Sequence, residues 1–454
     1  MGILGGVKML FKNIVTSLKD KDQWTFVNEN GKRCFQATKF IEYFKNSLNV
    51  NTLRTHLFQG KPIMYMYKDG MFVNGVSALF KECIYSIMGI SISTKKIGEY
   101  LSFLCSQSYV DDDYFDTINP NFINLKNGVY DIKKRELFEH HPKYKFRTMI
   151  NINYNPDADY KFMDEFVSQI TKERASVQEL FGNCLYRDYI IQKAALLHGK
   201  GANGKDTLLY CLEQMLGKEK YSAVNLITIT NDKFSSSSLY KKYANISTET
   251  PDKKLASTEV FKALRGGSPI YAQYKFGHPF NFVNYATLIF SCNKIPISMD
   301  NSYAFWRSWL LVEFPHQFNG NEANKKLKYE LTTPERMEAI LNWAIDGLHR
   351  LLGNMDFSST LDVDEIEYIW IKSSNNVETF VKECIIEGDK TYNEDLIPAY
   401  IKYCDSNKLT ALSQQAFYKE FKKQMGSQYP MAVDISQDTA NRRFRRGIEL
   451  KGVD

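Results

Sequence analysis

The chain has 454 residues, 44% of them hydrophobic, and 58 Lys+Arg against 52 Asp+Glu for a formal charge of +6. At about 100–200 residues per domain this length implies two to four domains, and the apolar share excludes disordered and fibrous classes. So small a charge excess identifies no nucleic-acid partner by itself, and the 8 scattered cysteines, none in a C-x-x-C pair, argue against zinc ribbons, redox motifs and a secreted disulfide scaffold.

In chain order, the start MGILGGVKMLFKNIV is broken by Lys8 and Lys12 and makes a poor signal segment. Gly6 stands where a myristoylation signal wants Ser or Thr. With no run of about 18 apolar residues, the expectation is a soluble cytoplasmic protein with no membrane partner. Residues 1–110 read as a mixed α/β region. PIMYMYKDGMFVNG contains short strands with turn signals at Asp69-Gly70 and Asn74-Gly75, and Leu79, Cys83 and Ile87 then fall at helical spacing. The acidic cluster Asp111–Asp113 with Asp116 reads as an exposed loop rather than a metal site. NLKNGVYDIKKRELFEH reads as a hairpin turning at Asn127-Gly128.

From Lys193 onward, short apolar runs alternate with helical periods: AALLHG from 194, YANIST from 243 and ATLIFSCN from 286. That alternation predicts a parallel sheet covered by helices. A long helix follows, with Met337, Ile340, Leu341, Ala344, Leu348 and Leu351 on one face. MDFSSTLDVDEIEYIW reads as a linker or exposed helix. From Asn375 three helices are expected, around Val377, Phe380, Val381 and Cys384, then Leu396, Tyr400 and Tyr403, then Phe417 and Phe421. MAVDIS and NRRFRRGIELKGV would add a β-ribbon, giving a winged-helix-like unit with Arg442, Arg443, Arg445 and Arg446 on or near the wing. Those arginines suit phosphate contacts on DNA; a solvated basic tail or a subunit contact is the alternative.

The sharpest local feature is LLHGKGANGKDTLLYCLEQML. A strand ends at His198, a loop runs from Gly199 through Gly201, Ala202 and Asn203 to Gly204, and Lys205 opens a helix. Backbone N–H groups in such a loop, with the helix N-terminus, cradle phosphate oxygens, and Lys205 would reach the β- and γ-phosphates of ATP. A plain strand-to-helix turn is the bland alternative. One position departs from the Walker A pattern. Asp206 stands where Ser or Thr would hold Mg²⁺, and Thr207 arrives one residue late, about 100° around the helix. A carboxylate is itself a legitimate Mg²⁺ ligand. Downstream, Glu249 after YANIST would polarise a water or help hold Mg²⁺, Asn293 after ATLIFSCN would orient it, and Arg307 offers a cation from a neighbouring subunit.

In this order the segments resemble superfamily 3 helicases of the phage, plasmid and large-DNA-virus type, related to the helicase halves of poxvirus-type primase-helicases. GKGANGKDT resembles Walker A, ANISTE Walker B, LRGGSPIYAQYKFGHPF the B′ segment, ATLIFSCNKIP motif C, and FWRSWLLVEFP the finger segment. YMYKDGMFVNG and FINLKNGVYDIKKREL resemble the N-terminal region accompanying these helicases. Two further departures are Thr248, where many members carry an acid, and Ser308, in place of a second Arg.

The resemblance implies an AAA+-like P-loop core (191–355) after an N-terminal α/β region (1–110) and a helicase-associated region leading into a helical collar (111–190), with the winged-helix-like unit at 375–454. It implies an ATP- and Mg²⁺-dependent DNA helicase, acting as a hexameric ring on single-stranded and forked DNA, with a separate primase. Lys275 and His278 would sit on a hairpin in the ring's channel; Tyr274 and Phe276 offer stacking surfaces beside them, with core packing the stronger reading of both. The alternative is an initiator or loader that binds ATP and assembles on DNA with little or no unwinding.

Overall fold

The computed structural model describes residues 21–451, except 55–61, 112, 117, 118, 233, 252, 256, 257, 299, 301, 319–323 and 408. The apolar start of the chain and Asp112 lie outside the described residues.

The N-terminal unit opens with the antiparallel pair β1 (Thr25–Val27) and β2 (Arg33–Phe35), followed by α1 (Ala37–Ser47). A second antiparallel sheet joins β3 (Asn51–Arg54), β4 (Pro62–Lys68) and β5 (Met71–Val73). The expected turn holds: Asp69 and Gly70 connect β4 to β5 with φ of 45° and 85°, the two left-handed residues that a tight hairpin demands. Helices α2 (Val76–Met88) and α3 (Thr94–Gln107) close a core around Phe40, Phe44, Leu79 and Phe80. The next sheet is β6 (Phe122–Leu125), β7 (Gly128–Asp131) and β8 (Glu136–Phe138). Leu125 pairs with Gly128, so the turn is Lys126-Asn127, one residue earlier than the sequence suggested. Gly128 pairs as part of the strand, and glycine is required there because a Cβ would stand 2.5 Å from the Phe138 carbonyl oxygen.

After α4 (Lys161–Ile170) and α5 (Arg174–Asn183) comes the central sheet. Its strands are β9 (Ala194–His198), β10 (Tyr221–Ser222), β11 (Ala244–Ser247), β14 (Thr287–Cys292) and β15 (Trp309–Glu313), all parallel, in the order β10-β11-β14-β9-β15. Between β11 and β14 the chain forms α8 (Glu259–Arg265, after α7 at Leu226–Asn231) and an antiparallel hairpin, β12 (Pro269–Gln273) with β13 (Pro279–Val283). Both faces of the sheet are covered, which is why its strands are near-continuously apolar. Ala195 and Leu197 face α4, α5, the helix α6 (Lys205–Leu216) and the long α11 (Pro334–Asn354), reached through α9 (Tyr303–Trp306) and α10 (Leu327–Glu330). Ala194 and Leu196 face the opposite core, with Phe261 of α8 and Ile270 of the hairpin. The six apolar residues expected on one face of α11 are all buried.

Two C-terminal expectations change. The stretch expected to be a linker or exposed helix is α12 (Val363–Ser374), opened by a capping box between Asp362 and Glu365 and docked on the central sheet. Trp370 is buried; its indole N–H donates to the Pro296 carbonyl at 2.9 Å, and its ring lies 5.4, 5.6 and 5.0 Å from Phe305, Trp306 and Trp309. The final unit contains α13 (Asn376–Cys384), β16 (Ile385–Tyr392), α14 (Asn393–Ser406), α15 (Gln414–Gln428), β17 (Ser436–Gln437) and β18 (Arg443–Leu450), with sheet order β16-β18-β17. Strand β16 was not legible because IIEGDKTY is polar, and its pairing with β18 is interrupted between Glu387 and Lys390. Among the described residues no helix is long and apolar enough to cross a membrane.

Candidate functional site

The loop between β9 and α6 is shaped by close approaches. A Cβ on Gly199 would lie 2.5 Å from the Phe314 carbonyl oxygen, and one on Gly204 would lie 2.6 Å from Ile170 Cγ2. Gly204 and Ala202 hold φ of 86° and 58°. From behind, the Phe318 N–H donates to the Ala202 carbonyl at 2.7 Å and Gln317 Nε2 to the Gly201 carbonyl at 3.0 Å.

Lys205 is buried, and its Nζ donates to the Gly199 carbonyl and, at 3.4 Å, to Asn293 Oδ1. Burial lowers its pKa from the usual lysine value. Both named hydrogen-bond partners are neutral oxygens, and the nearby Asp206 charge only partly offsets the burial. Beside it the buried Asn203 Nδ2 has no hydrogen-bond partner. A desolvated cation, an orphan donor and a helix N-terminus in one place suit an anion.

Strands β11, β14 and β9 are neighbours in the sheet, so their carboxyl ends bring three separated segments together. A cleft of about 550 Å³ is lined by Gly201, Ala202, Asn203, Gly204, Lys205, Asp206, Thr207, Thr248, Glu249, Ser291 and Asn293. Asp206, Glu249 and Asn293 are exposed there. Among the described residues no group of three or more His, Cys, Asp or Glu is poised around a metal position, so a Mg²⁺ would draw on Asp206, Thr207 or Glu249 together with phosphate oxygens. A second cavity of about 350 Å³ continues past Asp206, Thr207 and Thr248 to Tyr210, Asn324, Lys325 and Lys328.

Other expected residues lie elsewhere. Arg307 is exposed just before β15, whose first residue, Trp309, pairs with Ala194 at the start of β9. It therefore sits at the end of the sheet opposite the Gly199–Gly204 loop. Ser308 beside it is buried and donates to the Phe305 carbonyl. Lys275 and His278 are exposed at the tip of the β12–β13 hairpin. The expectation that Tyr274 and Phe276 pack in the core fails: Phe276 is 94% exposed and Tyr274 41%, because the two-stranded ribbon carries its tip away from the sheet.

Of the four C-terminal arginines, Arg443 and Arg446 are exposed, and Arg442 is exposed but tied to Asp438 at 3.0 Å. Arg445 corrects the expectation of four solvent-facing cations: it is buried, donates to the Ala432 and Val433 carbonyls at 2.8 and 2.9 Å, and lies over Phe421. Sequence reasoning also missed His198, whose Nδ1 lies 3.9 Å from Glu313 and whose Nε2 lies 3.5 Å from Ser373 Oγ of α12. Nothing local in the sequence marks Gln317, Lys325, Lys328 or Ser373 as neighbours of the loop.

Residues 12–172 match the family described as "D5 N terminal like", and residues 197–307 match a family of unknown function, DUF5906. The chain is similar to "Putative helicase L207/L206" of Acanthamoeba polyphaga mimivirus, 25% identical over 243 residues, covering 50% of this chain and 25% of that protein. It thus spans about a quarter of the length of that relative. Among solved structures it is similar to an apo A form of the NrS-1 C-terminal region (TM-score 0.48, 10% identity, 90% of this chain and 99% of that one). A second apo structure of that region gives a TM-score of 0.41 at 13% identity, covering 88% and 96%. With its D5 N-terminal-like region in front of a five-stranded parallel sheet, the chain resembles the D5-type superfamily 3 helicases of phages and viruses.

Proposed function

We propose that the chain is an ATP-driven replicative DNA helicase of a virus, phage or plasmid-like element. It works as a ring with nucleotide between subunits and DNA through the centre. The core at 191–355 is AAA+-like and the unit at 375–454 is winged-helix-like. The observation that carries this reading is Lys205, buried between the Gly199 carbonyl and Asn293 with Glu249 across the same cleft. Strand order supports it: β14 lies between β9 and β11, setting an asparagine between a phosphate cradle and a carboxylate.

In this mechanism ATP is the substrate; Asp206, Thr207 and Glu249 would help hold a Mg²⁺, which would neutralise phosphate charge. The Gly199–Gly204 backbone N–H groups and Lys205 hold the phosphates and neutralise charge. Glu249, exposed at the open side, accepts the proton of an attacking water, and the Asn293 side chain orients that water. Arg307, on the far end of the sheet, serves the cleft of the adjacent subunit. Lys275 and His278 track DNA, and the exposed Arg442, Arg443 and Arg446 add salt-dependent phosphate contacts.

One feature favours the initiator or loader reading. Asp206 places a carboxylate where a hydroxyl is usual, and its charge repels the phosphates. DNA-stimulated ATP hydrolysis and strand displacement decide between the two readings. Wild type is expected to unwind a fork and to hydrolyse ATP at least about a hundredfold faster than Lys205→Ala, the scale of losing one charge-stabilising donor. If wild type binds DNA but hydrolyses no faster than Lys205→Ala, the loader reading replaces the helicase. A gain in hydrolysis by Asp206→Ser would show that the aspartate damps turnover.

A further inference from the structure

The turn closing the β12–β13 hairpin runs Tyr274-Lys275-Phe276-Gly277, with the Gly277 N–H donating to the Tyr274 carbonyl at 2.8 Å. Its third residue, Phe276, has φ of +63°. Left-handed backbone at that place normally selects Gly or Asn, and a bulky aromatic residue there is an outlier. The same side chain is 94% exposed, the highest exposure of any large hydrophobic side chain among the described residues. Folding therefore disfavours Phe276 twice, through its backbone and through its wetted ring. Strain of this kind at an exposed tip points to use.

The surroundings suggest what the ring meets. Lys275 Nζ lies 5.4 Å from the Phe276 ring, His278 is exposed two residues on, and Tyr274 stacks on Phe280 at 5.3 Å and 27°. Aromatic faces beside a cation at the end of a projecting ribbon match the chemistry of single-stranded nucleic acid. Its unpaired bases offer π-faces and its backbone offers phosphates, whereas duplex bases are already stacked. We propose that Phe276 is a base-stacking residue: its ring takes an unpaired nucleobase while Lys275 contacts an adjoining phosphate. This rests on the reading that the hairpin faces the nucleic acid, and it adds an aromatic contact to the charged ones.

The test uses the full chain and a thymidine oligonucleotide of about 20 nucleotides, longer than a typical single-strand site. Phe276→Ala is expected to bind it about tenfold more weakly, the scale of one lost stacking contact. Phe276→Trp is expected to keep the affinity and to lose fluorescence on saturation. Trp24, Trp306, Trp309, Trp343 and Trp370 are all buried, so the wild-type signal gives the baseline. An abasic oligonucleotide should bind wild type and Phe276→Ala equally.

The proposal is overturned if Phe276→Ala binds within twofold of wild type, or if Trp emission does not move at saturation. It is equally overturned if Phe276→Ala alters only the sedimenting size of the protein, which would seat the ring in a second copy of the chain. Stacking with no ATP-driven unwinding would sink the helicase reading alone; normal unwinding by Phe276→Ala with unchanged affinity would sink stacking alone.

Discussion

At the scale of single residues, Lys205 and Lys241 of the central unit meet burial in different ways. Lys205 has neutral oxygens for partners, which leaves its charge available to a phosphate. Lys241, held at φ of 59°, pairs with Asp116 at 2.8 Å, but Arg147 reaches the same carboxylate at 3.5 Å. Burial first, and Arg147 next, lower the Lys241 pKa to about 8. A lysine whose folded pKa is depressed binds fewer protons folded than unfolded between about pH 8 and the ordinary value of 10.5. Stability from this group therefore rises with pH across that window. Lys241→Met should remove that rise. Melting temperatures of both proteins at pH 7 and pH 9.5 check it: wild type must gain on the variant at the higher pH, and a constant difference refutes the assignment. Lys205 was legible because its motif is local. The fate of Arg445 was not: an arginine in a basic run is buried only because α15 and the 430–432 turn close over it.

At the scale of elements, periodicity served well where one face decides burial and poorly where a partner does. The runs that became β9, β11 and β14 are buried on both faces, and α11 shows an unmistakable apolar stripe. In α12 only Ile366 and Trp370 are fully buried, and that sparse signal reads as linker until the aromatic cluster around Trp309 is assembled. Trp370 should therefore be one of the costlier single positions. Trp370→Ala is expected to lose about 3–5 kcal/mol of stability in urea unfolding followed by circular dichroism, with Trp370→Phe losing clearly less. A loss below about 1 kcal/mol, the usual range for surface changes, would mean that α12 is not docked in solution. Because Ser373 of α12 approaches His198 at the root of the phosphate-type loop, this helix also links the C-terminal unit to the cleft.

At the scale of the whole molecule, the net charge of +6 was uninformative because position, rather than sum, carries the meaning. Lys205 is buried in the cleft, Lys275 is at a ribbon tip, Arg307 is at the opposite end of the sheet's strands, and Arg443 and Arg446 are on the last strand. With Lys205 and Arg307 at opposite ends of the sheet, the proposed ring would make one active cleft from two chains. Mixing Lys205→Ala with Arg307→Ala protein should then recover part of the ATP hydrolysis that each lacks alone, since one variant supplies the arginine and the other an intact cleft. Measured against each variant at equal total concentration, no recovery despite co-assembly by sedimentation would remove Arg307 from the mechanism.

What the sequence by itself determined was local: the Gly-rich loop and Lys205, the apolar runs of the central strands, the stripe of α11 and the motif order that carries the family resemblance. These depend on spacing along the chain, which backbone geometry converts directly into strand, loop and helix. The motif order already associated Glu249 and Asn293 with Lys205; tertiary structure alone decided the cleft they line, that Arg307 stands opposite it, that Arg445 is buried and that Phe276 is not. Each depends on which strands become neighbours and which surfaces close over a side chain, and those contacts span tens to hundreds of residues. No local pattern encodes them.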